Sequence, residues 1–363
     1  QNKRVARRIF YFVLKDTKNN GGVEMKLQGR IKAGARTKNL VNFLCPGDIA
    51  VIHHDDIDEM AALAIANAGV KAVINTGKSM TGRFPSAGAA VLLENNIAVI
   101  DVDLSLEKFK DNDMITILGN DIIIRNHIYK NVCTAVNWNY ISKRRQESKE
   151  NEKYEILKFI DNTIKHTALE IDKFISVNNY PELSTRIKGR HAVIVVRNSS
   201  TLDELNALKA YIKKFNPVFI GVDGGADLII NSGYMPDLLI GDMDSVSDIG
   251  IYKSREIILH AYEDGHCPCL NRISGMNVPY KIFAVRGTSE DAALMLAYNK
   301  GADLIVLVGG HSCMYDFISK GRAGMASTFI VRTLIGERLV DCKGFGIIAA
   351  SENEGKDAQW AKM

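Results

Sequence analysis

A chain of 363 residues that is 46% hydrophobic and 24% charged, with 29 Gly against 7 Pro, is too long for one core and too apolar for a disordered or collagen-like polymer. The 46 Lys and Arg against 42 Asp and Glu leave a net charge of +4, which gives no mandate for an anionic membrane, and no nucleic-acid partner is expected. Six Cys scattered at 45, 133, 267, 269, 313 and 342 make no disulfide framework, so a reducing, cytoplasmic compartment is the default.

The opening stretch QNKRVARRIFYFVLK is basic with a brief apolar patch and lacks the long apolar region and cleavage site of a secretory signal. Residues 1–24 therefore read as an extension or a remnant ahead of Met25. No apolar run reaches the roughly 18 to 20 residues of a spanning helix. From 25 to 135 the apolar runs DIAVI (48–52), KAVIN (71–75) and IAVID (97–101) alternate with the helical stretches DIDEMAALAIANAG and AGAAVLLENN, the pattern of a small α/β domain. MITIL and DIIIRNHIY, on either side of a GND turn at 119–121, predict a hairpin at its end.

Residues 136–188 read as a helical connector. Nine of the fourteen residues from 142 to 155 are charged, and apolar residues then recur at three- and four-residue spacing to 175. From 189 to 348 the α/β grammar resumes with HAVIVV, PVFIGVD, DLLIGD, EIILHAY, KIFAV and DLIVLVGG, and with helices near 201–215, 226–232 and 289–300. Such near-continuous apolar strands belong to a doubly wound parallel sheet covered on both faces, with its ligand crevice at the carboxyl ends of the strands. The stretch 322–348 is β-prone and predicts a small C-terminal β layer, followed by a polar tail at 349–363.

Residues just after those strands carry the chemistry. Asp223 opens DGGAD, Asp242 and Asp244 sit in GDMDS, and Asp291 opens a helix after AVRGTSE. A doubly wound sheet is expected to bring all four acids to one crevice, where they repel one another unless a hard cation such as Mg²⁺ joins them to phosphates. Gly224 and Gly225 allow the backbone to approach a phosphate at a helix start.

The segment VDGGADLIINSGYMPDLLIGDMDSVSD resembles the catalytic domain of the thiamine pyrophosphokinase family, with Ser289, Glu290 and Asp291 fitting its further S/T-x-D element. The resemblance implies that Asp223, Asp242, Asp244 and Asp291 bind Mg²⁺ and ATP. It also implies that Gly224, Gly225, Ser245, Thr288, Ser289 and His311 contact the nucleotide, and that a diphosphoryl group passes from ATP to a small alcohol such as thiamine, releasing AMP. That family usually carries GGRxDH after the next strand, whereas this chain has GGHSCMYDF, with His311 in the place of the arginine.

A longer stretch, from Gly29 to about Gly344, resembles the bacterial SteA-like cytokinetic-ring proteins through PGDIAVIHHDDIDE, KAVINTGKSMTGRFPSAG, IKGRHAVIVVR, GTSEDAALMLAY and KGRAGMASTF. This second resemblance implies a nucleotide-binding scaffold of cell division and separation, a membrane division partner, and placement at the inner face of the membrane through an anchor that this chain lacks. A homo-oligomer is also expected. Where relatives read DGRAPGLERI the chain has DGHCPCLNRI, exchanging a forked Arg for His266.

Three further signals read as structural. AVINTGKS (72–79) only loosely fits a P-loop, although Lys78 and Arg83 stand at a strand end. Cys267 and Cys269, flanked by His260 and His266, have a poor spacing for zinc. His53 and His54 with Asp55, Asp56 and Asp58 lie at a helix start, where acids serve as caps.

Overall fold

The computed structural model describes residues 26–347, so the expected extension at 1–24 and the polar tail at 349–363 lie outside the described residues. The chain divides into two compact units, Gln1–Glu155 and Ile156–Met363, within the long helix Trp138–Ile175.

The first unit is an eight-stranded sheet. Its strands are β1 (Lys26–Gly34), β2 (Ile49–Ile52), β3 (Ala72–Asn75), β4 (Ala98–Val102), β5 (Met114–Leu118), β6 (Asp121–Ile124), β7 (His127–Tyr129) and β8 (Cys133–Val136), in the order β7-β6-β5-β1-β2-β3-β4-β8. Strands β1 to β4 run parallel, while β5, β6, β7 and β8 pair antiparallel. Helix Glu59–Asn67 starts where the Asp58 carboxylate accepts the Ala61 N–H at 2.8 Å, the cap expected of an acid there. The run DIIIRNHIY is two strands, because Arg125 and Asn126 turn the chain with φ of 47° and 67°. A two-residue turn with both φ positive closes a hairpin, and here it does so without the glycine that usually announces one.

The second unit is a seven-stranded sheet, parallel throughout, as the near-continuous apolar strands predict. Its strands are β9 (His191–Val195), β10 (Val218–Val222), β11 (Leu238–Gly241), β12 (Glu256–Ala261), β13 (Lys281–Ala284), β14 (Leu304–Val308) and β15 (Leu339–Asp341), in the order β13-β12-β11-β10-β9-β14-β15. Ile194, Ile220, Ile240, Ile258 and Ile305 lie fully buried on one face, and Val193, Phe219 and Val308 are buried on the other. The strand order grows outward from β9 in one direction and from β14 in the other, so it reverses between these two. That reversal is where an open α/β sheet leaves a crevice at its carboxyl edge.

The stretch 322–348 departs from the expected small β layer. Thr328, Ile330, Val331 and Ile335 are the buried positions of helix Ala326–Ile335, with Thr328, Val331 and Ile335 spaced by three and four residues, and β15 then extends the main sheet in parallel beside β14. The β-branched composition of this helix misled; its periodicity is helical. The connector helix ends at Ile175, after which 176–188 carries no regular element and sets Ile187, Val177, Tyr180 and Leu183 against the core.

Candidate functional site

The crevice is built by two interlocking turns. After β10, Asp223 adopts a left-handed φ of 47° while its N–H bonds the Ile240 carbonyl at 3.0 Å, and helix Gly225–Asn231 begins at once. A Cβ at Gly225 would stand 1.9 Å from the Val195 oxygen, so only glycine lets the helix start this close to β9. After β11, Gly241 has φ of 154° and lies where a Cβ would reach within 1.9 Å of Asp223 Oδ1. The same Oδ1 accepts the Met243 N–H at 2.9 Å. Asp242 Oδ1 accepts the Asp244 N–H at 3.0 Å, and the Ser245 hydroxyl oxygen accepts the Gly224 N–H at 3.2 Å. These bonds fix both acidic loops without a ligand.

A cavity of about 250 Å³ opens beside them, at the reversal between β9 and β14. Among the residues expected from the sequence, Asp223, Asp242, Ser245, Thr288, Ser289 and His311 line it. Asp244, Asp291, Gly224 and Gly225 do not. Of the four acids expected at one crevice, Asp223 and Asp242 line this cavity, together with Glu290 and Asp316.

Asp291 is fully buried and closes a capping box at the start of helix Ser289–Asn299. Its Oδ2 accepts the Thr288 N–H at 2.9 Å, the Ser327 hydroxyl at 2.8 Å and the Thr328 hydroxyl at 3.3 Å. Burial, and then the neighbouring Glu290 charge, push its carboxyl above the ordinary carboxylate range. Asp244 is exposed, and its backbone N–H donates to Asp242. Among the described residues no three His, Cys, Asp or Glu side chains group as a metal cage. Two carboxylates on a cavity wall nevertheless fit Mg²⁺, which usually takes one or two protein carboxylates and completes its shell with phosphates and water.

Three cations line the same cavity. Arg197 follows β9 directly and bonds Asp227 at 3.3 Å, and Lys320 and Arg322 come from the segment before helix Ala326–Ile335. Arg197 is legible as a residue near a strand end; Lys320 and Arg322 are not, because neither stands directly after an apolar strand. His311 is engaged on both ring nitrogens: Nδ1 lies 2.9 Å from the buried Glu290 carboxylate, and Nε2 faces Lys320 Nζ. The ammonium has only protons to give, so Nε2 accepts and Nδ1 donates to Glu290. Arg332 bonds the other Glu290 oxygen at 3.3 Å and Asp341 at 2.7 Å.

Asp316, also on the cavity, meets Lys343 at 2.5 Å and the N–H groups of Ser312 and Cys313 at 3.0 and 3.1 Å. Burial acts to raise its carboxyl, but these bonds outweigh it and bring it down to about 2. Behind Ser289, His260 Nε2 lies 2.9 Å from the Val285 carbonyl and must donate to it. Nδ1 is left to accept from the Ser289 hydroxyl at 3.2 Å. Burial lowers this imidazole's affinity for a second proton.

The signals set aside as structural have structural partners. Lys78 and Ser79 begin no helix; the Ser79 N–H bonds Asp101 at 3.1 Å, and Arg83 pairs with Glu155 at 3.1 Å. Asp56 accepts the Thr81 N–H and hydroxyl at 2.7 Å each. The Cys267 and Cys269 sulfurs are buried 3.3 Å apart. Among the described residues no helix is long and apolar enough to cross a membrane.

No family profile matches the chain, and no curated protein sequence matches it. Among solved structures, thiamine pyrophosphokinase from Bacillus subtilis is similar with a TM-score of 0.24 at 18% identity over 37% of this chain, which spans 53% of that protein's length. The 3-isopropylmalate dehydratase of Methanocaldococcus jannaschii is similar with a TM-score of 0.21 at 18% identity over 35% of this chain and 99% of that one. The chemistry of the site therefore rests on its own residues.

Proposed function

We propose that the cavity at the strand-order reversal binds ATP with Mg²⁺ and transfers its terminal diphosphoryl group to a small alcohol, with thiamine as the first acceptor to test, releasing AMP. The observation that carries this reading is one cavity lined both by the carboxylates of Asp223 and Asp242 and by the cations Arg197, Lys320 and Arg322. A bare polyanion would be repelled by the acids and a bare cation by the basic side chains; a metal-bound polyphosphate suits both. The sequence resemblance of the DGGAD and GDMDS segments to thiamine pyrophosphokinases supports the same chemistry.

When bound, Mg²⁺ held by Asp223 and Asp242 would neutralise phosphate charge as the leaving group departs. The chain's own residues do the rest. The guanidinium forks of Arg197 and Arg322 bind phosphate oxygens, and the Ser245 hydroxyl at the start of the next loop orients them. As the acceptor oxygen bonds to the β-phosphorus, the bond to the bridging oxygen of AMP breaks and the acceptor's proton needs a destination. Ser289 leads from the cavity wall to the neutral His260 imidazole, whose Nδ1 has the open lone pair.

A second reading keeps the nucleotide and drops the turnover, giving a nucleotide-responsive scaffold of bacterial cell division that works through a membrane partner. One observation favours it. His311, in the place of the family's arginine, has both ring nitrogens occupied by Glu290 and Lys320 and offers no free fork to a phosphate. Incubation with ATP, Mg²⁺ and thiamine separates the two readings. AMP and a diphosphate ester, both lost in Asp242→Asn, support transfer. Metal-dependent nucleotide binding with no product leaves the scaffold.

A further inference from the structure

The second unit has another cavity, of about 460 Å³, at the opposite edge of its sheet. Its wall is formed where β11, β12 and β13 begin: Asp237 precedes β11, Glu256 opens β12 and Lys281 opens β13. Strand β11 thus carries Asp237 at one end and Asp242 at the other, about 16 Å apart at the usual rise per residue. A ligand in one cavity does not touch the other.

The charges here are sorted. Both carboxylates are satisfied within the wall: Asp237 takes Arg255 at 2.7 Å and the Phe219 N–H at 2.9 Å, while Glu256 takes Lys281 at 2.7 Å and the N–H groups of Ser184 and Thr185 at 3.0 Å each. Two guanidiniums remain. Arg190 donates only to the backbone carbonyls of Asn216, at 2.8 Å, and Arg186, at 3.3 Å. Arg186 itself makes no ion pair among the described residues, although it lines the cavity. The wall therefore holds a surplus of two positive charges with no carboxylate to answer them, in a concavity of the size that takes small molecules. Tyr280, 37% exposed, and Pro279 add an apolar surface beside them.

We propose that this cavity is a separate ligand site for an organic phosphate dianion, with the phosphate on Arg186 and Arg190 and a flat apolar body against Tyr280 and Pro279. A nucleoside monophosphate is the prototype. Two guanidiniums match the two charges of a terminal phosphate; Arg186 offers its whole fork, and Arg190 the N–H groups not given to the Arg186 and Asn216 carbonyls. No metal is required, because each carboxylate of the wall is already paired with its own cation. The site stands independently of the chemistry assigned to the cavity at the carboxyl edge.

The test is calorimetric titration of AMP, inorganic phosphate and adenosine into the whole chain with divalent metal removed by chelator. Wild-type protein is expected to bind AMP at one site, inorganic phosphate more weakly, and adenosine not at all. Arg186→Glu is expected to weaken AMP binding by at least about tenfold, since it replaces a forked cation with a repelling anion. Its melting temperature should be unchanged, because Arg186 is exposed and holds no other side chain. Tyr280→Ser should erase the preference for AMP over phosphate while phosphate still binds, and Asp242→Asn should bind AMP as the wild type does. The proposal is overturned if wild-type protein binds no AMP without metal, if adenosine binds as well as AMP, or if Arg186→Glu binds like the wild type. AMP binding that disappears in Asp242→Asn would overturn it as well, by assigning the nucleotide to the other edge.

Discussion

A methyl group added at Gly225 would sit 1.9 Å from the Val195 carbonyl oxygen, which has no room to retreat because it belongs to a central strand. Gly225→Ala is therefore expected to cost about 2 to 4 kcal/mol, read as a lower midpoint in thermal or denaturant melting. Asp316 makes a prediction about pH. Its folded value of about 2 lies below the ordinary 3.8, so folding favours the ionised form; that stabilisation is complete above pH 3.8 and is lost as pH falls toward 2. Asp316→Asn should flatten the fall of the melting temperature across that window and remove about 1 kcal/mol near neutrality, a figure reduced for the group's partial exposure. Asp223 and Asp242 were legible as site residues because each directly follows an apolar strand. Asp291 was not, since a Thr-x-x-Asp sequence serves a capping box and a ligand set equally well, and only burial separates the two.

Helix Ser289–Asn299 connects that residue to its neighbours, because Asp291 bonds its own cap and also Ser327 and Thr328 of helix Ala326–Ile335. Thr288→Ala should cost about 1 kcal/mol as a lost cap. Asp291→Ala should cost more, leaving the Ser327 hydroxyl and the buried Thr328 hydroxyl without their acceptor, while weakening nucleotide binding far less than Asp242→Asn does. Equal loss in both variants would return Asp291 to the ligand set. The parallel strands were readable because a strand buried on both faces is apolar at every position. Helix Ala326–Ile335 was hidden by β-branched residues whose spacing, not type, set the structure, and the β6–β7 turn was hidden because Arg125-Asn126 supplies positive φ without glycine. Lys320 and Arg322 carry no such signal, since they lie in an irregular turn between two helices and not directly after an apolar strand.

A net charge of +4 spread over two units conceals two cavities of different character at the two edges of one parallel sheet. At the carboxyl edge, acids and cations line one cavity together, the mixture on which the proposed binding of a metal-bound polyphosphate rests. At the amino edge, the acids are already paired and the surplus is positive, an arrangement for a bare phosphate. Removal of divalent metal should therefore abolish binding at the first and leave binding at the second unchanged. The central claim concerns the first, and its most direct test is titration of ATP into the wild type and Asp242→Asn, each with and without Mg²⁺. The account predicts saturable binding by the wild type that needs Mg²⁺ and is lost in Asp242→Asn; an absence of binding, or binding indifferent both to Mg²⁺ and to Asp242, would contradict it.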